Sequence, residues 1–122
     1  MKAIALVALG GALGAVARLL VTRALPDAFP WGTLAVNLVG SFAIGWLLAS
    51  PASRVAGTPE LKLLLVTGVL GGFTTYSAFN HETLALWSAG LRASAALYCF
   101  GTLVGAWAAG LLGIWVARAT SG

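Results

Sequence analysis

Gly68–Glu82, GVLGGFTTYSAFNHE, is the stretch on which the reading of this chain turns. It lies inside a hydrophobic run long enough to cross a bilayer, yet it sets Gly68, Gly71 and Gly72 beside Thr74, Thr75, Ser77, Asn80, His81 and Glu82. A helix that served only as an anchor has no use for that mixture. Glycine weakens a helix, and polar side chains in hydrocarbon must find partners. The pattern therefore predicts a helix interrupted where backbone groups face a cavity or an ion, with the break near residues 71–75.

Composition supports the membrane setting. With 60% hydrophobic residues, 8% charged residues and 16 glycines, the chain cannot cover an aqueous surface with polar groups. Its mean hydropathy is +0.97. The 122 residues accommodate about four spans of roughly 20 residues with short turns, and little else. The expectation is an all-α integral membrane protein with a single membrane domain over 1–122. Its spans run from about 3–23, 31–49, 61–87 (with the break inside it) and 91–117. The net charge of +4 does not indicate nucleic acid, because the seven basic residues are scattered singly and form no stripe. Cys99 is the only cysteine, which rules out an intrachain disulfide or a zinc cluster of cysteines.

Taken outward from the break, the first span begins after Lys2 and is closed by Pro26, Asp27 and Pro30. A signal peptide is the competing reading, but the run is long and glycine-rich, and Arg18 stands where a cleavage region is small and neutral. Gly10, Gly14 and Arg18 recur every four residues, as do Gly11 and Ala15, so one face is built for close approach of another helix. Arg18 carries two readings, a side chain snorkelling to the interface or a fixed charge at the mouth of a water-filled vestibule. In the second span Asn37 and Ser41 share a face in mid-membrane and Gly45 continues it. Asn37 needs a partner at that depth, and contact with a permeating ion is favoured over pairing with another helix. Thr58, Pro59 and Glu60 read as an N-cap, a first-turn proline and an acid at the positive helix end. In the fourth span Gly101, Gly105, Ala109 and Gly113 form a ladder of small residues, and Tyr98 and Thr102 give a polar edge.

Four spans put both termini on one side of the membrane. Lys2, Arg54, Lys62 and Arg118 then oppose Arg23 and Arg92, with Arg18 near the latter pair. This weak bias permits insertion in both orientations, and four short helices enclose little volume alone, so an antiparallel homodimer is expected.

The segments GGFTTYSAFNHE, GTLAVNLVGSFAIG and GGALGAVARLL together resemble the bacterial fluoride channel family, known as Fluc or CrcB, in order and over nearly the whole chain. The resemblance implies an antiparallel, dual-topology homodimer with two fluoride pathways and a central structural sodium ion (Na+). It implies that the backbone carbonyls of Gly71 and Thr74 hold the sodium. Tyr76 and Phe79 would occupy the aromatic positions whose electropositive ring edges face the anion. Asn37 would donate its amide towards fluoride, and Ser77 and Thr102, with Tyr98 beside them, would form a hydroxyl track. Glu82 and Arg18 match family positions near the vestibule. Fluoride and membrane lipid are the implied partners, with no soluble protein and no nucleic acid, and the implied location is the cell inner membrane.

Two residues depart from the family pattern: Tyr76 stands where phenylalanine is usual and Ala78 where threonine is common. Tyr76 adds a hydroxyl that competes with fluoride or extends its path, while Ala78 removes one from the track. A small multidrug transporter is the rival of similar size, but it depends on a carboxylate in the first helix, and there is none between Lys2 and Arg23. A non-transporting assembly subunit is the structural alternative. Enzyme activity is not expected, because no nucleophile, base and orienting group recur at recognisable spacings. His81 is read as a helix-end side chain and not as a metal ligand, since no second histidine supports it.

Overall fold

The computed structural model describes residues 1–51 and 57–121, and the part of the second loop that carries Ser53 and Arg54 lies outside the described residues. Helix α1 spans Lys2–Ala24 and α2 spans Trp31–Ala49. Helix α3 is a continuous rod of three parts, Pro59–Lys62, Leu63–Leu70 and Gly71–Phe73. After a two-residue interruption α4 covers Tyr76–Ser88, and α5 covers Arg92–Ala119. With α3 and α4 taken together as one span, four segments are long and apolar enough to cross a membrane, and there is no strand among the described residues.

The local chemistry explains the ends. Thr58 caps α3, its hydroxyl accepting the Leu61 amide at 3.4 Å, with Pro59 in the first turn. Glu60 reaches Lys2 Nζ at 3.3 Å, an exposed pair that ties the first turns of α1 and α3 to one membrane face. The α4–α5 hairpin closes at Gly90, whose φ of +79° favours a residue without a side chain. There the Leu91 amide donates back to the Leu86 carbonyl, and the Gly90 amide to that of Trp87, both at 3.0 Å. The Arg92 guanidinium lies 5.3 Å from the Trp87 ring centroid, placing a cation and an indole together at that end.

Helices α1 and α3 run side by side in the same direction. A Cβ on Gly10 would collide with the Leu64 carbonyl, and one on Gly14 with that of Val69. From the other side a Cβ on Gly72 would stand 2.5 Å from the Gly11 carbonyl. The small-residue face of α1 thus meets the glycines of α3 backbone to backbone. Helices α2 and α5 form the second close pair, with Gly45 against Gly110 and Gly113 against Phe42 and Trp46. Of the expected ladder on α5, the Gly113 end carries this crossing, whereas Gly101 has nothing within 4 Å of a Cβ.

Two features of α3 differ from the expected helix broken by its glycines. Leu63–Leu70 is wound as a π-helix, with the Gly71 amide reaching back to the Val66 carbonyl. The glycines do not themselves break the rod: Gly71 is helical at φ −63° and ψ −37°. The extended residues are Thr74, with ψ 158°, and Thr75, with φ −153° and ψ 124°. Close packing explains this division. Gly68 and Gly72 are used for contact with α1, where helical geometry is kept, and the chain opens one turn later.

Candidate functional site

Asn37 on α2 clamps the break. Its Oδ1 accepts the Thr75 amide at 2.8 Å, and its Nδ2 donates to the Thr75 carbonyl at 3.0 Å. The Thr75 amide is the donor that would have continued the α3 ladder to the Gly71 carbonyl, so giving it to Asn37 leaves that carbonyl without its helical partner. A second diversion follows at once. Thr75 caps α4, its hydroxyl accepting the Ala78 amide at 3.3 Å, and that amide is therefore not given to Thr74. The Thr74 hydroxyl turns back to the Leu70 carbonyl at 3.0 Å. Two backbone carbonyls, of Gly71 and Thr74, thus come free at one point of the membrane interior.

They border a cavity of about 370 Å³ whose wall includes Asn37, Ser41, Tyr76, Phe79 and Thr102 as well as Gly71 and Thr74. Phe79 is buried at 5% exposure, whereas Tyr76 is 73% exposed, so the cavity is open on the Tyr76 side. The two rings share a face, with centroids 5.6 Å apart. The Thr102 hydroxyl is buried and makes no hydrogen bond. A buried hydroxyl without a partner costs roughly 1–3 kcal/mol, and Thr102 is the one side chain in that position among the described residues.

Towards the other end of α4 a second group assembles around Glu82. One carboxylate oxygen accepts the Thr33 hydroxyl at 2.8 Å and the other accepts the Tyr98 hydroxyl at 2.6 Å. Tyr98 is 1% exposed and is held in place by Phe79 at 5.4 Å and by an edge-on contact with Phe29 at 5.5 Å. Glu82 and Thr33 border a cavity of about 350 Å³ beneath the α1–α2 loop, which also contributes Asp27 and Phe29. Phe79 touches the first cavity on one side and Tyr98 on the other, so a single ring separates the break from the Glu82 group.

The predicted residues are therefore gathered unevenly. Asn37, Tyr76, Phe79 and Thr102 meet with Gly71 and Thr74 around one cavity. Tyr98 turns from that cavity to Glu82. Ser77 is exposed, with its hydroxyl 3.3 Å from that of Thr75. Arg18 is half-buried on α1 and borders neither cavity. Asn37, for which ion contact was favoured over pairing with another helix, uses its oxygen and one N–H to pair with the extended backbone of Thr75, which needs both an acceptor and a donor at that depth, and its second N–H is not spent on that pairing. Thr33 and Thr75 were missed. Thr33 lies four residues before Asn37, so extending the Asn37–Ser41 line by one turn finds it. Phe29 sits in a loop, where no periodicity marks it.

The family model described as "CrcB-like protein, Camphor Resistance (CrcB)" matches residues 5–114. The chain belongs to the CrcB family. It is 49% identical over 117 residues to a protein of Chelativorans sp. (strain BNC1), covering 93% of this chain and 94% of that relative. A protein of Agrobacterium fabrum is 48% identical over 119 residues, covering 94% and 95%. One from Anaeromyxobacter sp. (strain K) is 48% identical over 125 residues, covering 96% and 99%. All three relatives carry the name "Fluoride-specific ion channel FluC", the name of a channel and not of an enzyme. This CrcB member is a multi-pass membrane protein.

Proposed function

We propose that this protein is a passive fluoride channel that lets the ion leave the cell down its electrochemical gradient. The observation that carries the reading is near full-length similarity to relatives named as fluoride-specific channels. A negative cell interior drives an anion outward by about 2.3 kcal/mol per charge per 100 mV, so no ATP is needed. Fluoride must exchange its water shell for protein donors, and the Thr102 hydroxyl and the second N–H of Asn37 are donors without a protein partner among the described residues. The edges of Tyr76 and Phe79 supply a weaker electropositive contact from which the ion leaves again.

The reading extends to a homodimer of antiparallel, dual topology with two pathways. Its support is the open side of the break cavity: Tyr76, Ser77 and Gly71 are exposed in a segment that hydrocarbon cannot satisfy. The freed carbonyls of Gly71 and Thr74 are hard oxygen donors and would hold a sodium ion, which supplies fixed positive charge and ties the broken helices together. In this scheme Ser77 and Tyr98 continue the hydroxyl path, with Glu82 and Arg18 at its vestibules.

The test is purified protein in liposomes loaded first with fluoride and then with chloride. Fast fluoride efflux with chloride retained is the expected result. No efflux, or equal efflux of both ions, rejects the proposal.

A further inference from the structure

The α1–α2 loop is stiff where it meets the Glu82 group. Pro26 and Pro30 fix φ at two of residues 25–30. Pro30, at φ −74° and ψ 55°, forms an inverse γ-turn, closed by the Trp31 amide donating to the Phe29 carbonyl at 2.7 Å. Gly32 lets the two helix ends meet, since a Cβ there would stand 2.7 Å from Thr22 Cα. Phe29 is thus carried on a rigid turn at the start of α2, with its ring centroid 4.6 Å from that of Trp31.

What this ring covers gives it a role. Phe29 borders the cavity of about 350 Å³ beside Glu82 and Thr33, whereas Tyr98 does not line it. The Phe29 ring meets Tyr98 edge-on at 5.5 Å, and Phe79 lies against Tyr98 at 5.4 Å. A phenol held between two rings has the direction of its hydroxyl set, and that of Tyr98 donates to Glu82 at 2.6 Å. Thr33 donates to the other carboxylate oxygen at 2.8 Å. Both oxygens are therefore engaged by hydroxyls, which draws their charge towards protein donors and leaves less of it facing an anion in the cavity.

Resting on the fluoride-channel reading for its effect on flux, we propose that Phe29 is a positioning residue: it holds the Tyr98 hydroxyl on Glu82 and so masks a carboxylate beside the anion's path. Without the Phe29 ring Tyr98 swings away, water from the cavity reaches it, and one oxygen of Glu82 turns its charge on the entering ion.

Two measurements on the full-length protein in liposomes test this. The first is nitration by tetranitromethane, which attacks accessible phenols, with the modified tyrosine located by peptide mass spectrometry. Tyr98 should be protected in the intact protein, and Phe29→Ala should raise its nitration about fivefold, the effect of one lost aromatic contact on an opening equilibrium. If Phe29→Ala does not fold, Phe29→Leu keeps most of the volume without the ring edge and should act in the same direction. Unchanged protection of Tyr98 overturns the proposal.

The second is fluoride efflux. Phe29→Ala and Tyr98→Phe should each slow it, and the double variant should be no slower than the worse single one. The deficit of Phe29→Ala should narrow between about 0.01 M and about 1 M of impermeant salt, where the screening length falls from roughly 30 Å to roughly 3 Å. Losses that multiply in the double variant, or a deficit indifferent to salt, overturn the route through Tyr98 and Glu82. An intact protein that passes no fluoride sinks the channel reading alone, because nitration of Tyr98 is read without ion flow and still decides what Phe29 holds.

Discussion

Replacing Asn37 with alanine separates a structural role from an ion-contact role at the same residue. The substitution removes the acceptor of the Thr75 amide at 2.8 Å and the donor to the Thr75 carbonyl at 3.0 Å. Thr75 is 8% exposed, so water does not replace either bond freely. Each buried polar group left unpaired costs about 1–3 kcal/mol, but membrane interiors give smaller values because the disrupted state finds other partners. Together the two losses come to about 2–4 kcal/mol, a large share of the 5–15 kcal/mol typical of a folded domain. The freed Thr75 amide can then return to the Gly71 carbonyl, which closes the break. The assay pairs the temperature at which the purified protein loses its monodisperse chromatographic peak with fluoride efflux from liposomes. Asn37→Ala should lower that temperature by several degrees and abolish efflux. Asn37→Asp keeps the acceptor but turns a carboxylate towards the Thr75 carbonyl, and should recover little. Lost efflux with unchanged thermal stability would refute the clamp and return Asn37 to a role in ion contact alone.

Further outcomes follow from the same geometry. Thr102→Val removes a hydroxyl that has no protein partner, so stability should hold or rise while fluoride efflux drops at least tenfold; a parallel loss of both in the thermal and flux assays would show that the hydroxyl is structural. Gly14→Leu drives a side chain into the Val69 backbone and forces α1 from α3, at a cost of about 1–3 kcal/mol or more, and should be read as aggregation or lost expression on chromatography. Gly90→Ala meets no atom within 4 Å but holds alanine at φ +79°; a cost of about 1 kcal/mol should appear as a small fall in thermal stability with efflux unchanged.

Much of the architecture was legible because it depends on local rules. Apolar run lengths fix the number of spans, and Thr58, Pro59 and Glu60 announce a helix start through groups one turn apart. Gly10 and Gly14 on one face of α1 declare a close crossing before the partner is known. The anomaly at Gly68–Glu82 likewise located the interruption to within a few residues.

What the sequence determined by itself was the membrane class, the four spans and the presence of a broken third span, since each follows from hydropathy, spacing and the chemistry of neighbouring residues. Only the tertiary structure decided how that break is made. Glycines that looked like helix breakers are contact residues for α1, and two threonines take the extended conformation instead. The physical reason is competition for one donor: the Thr75 amide goes to Asn37, 38 residues earlier in the chain, and not to Gly71 on its own helix. Equally non-local is the Glu82 group, where hydroxyls from α2 and α5 converge on a carboxylate of α4. No periodicity within one helix specifies such a meeting, because it depends on where the other helices lie.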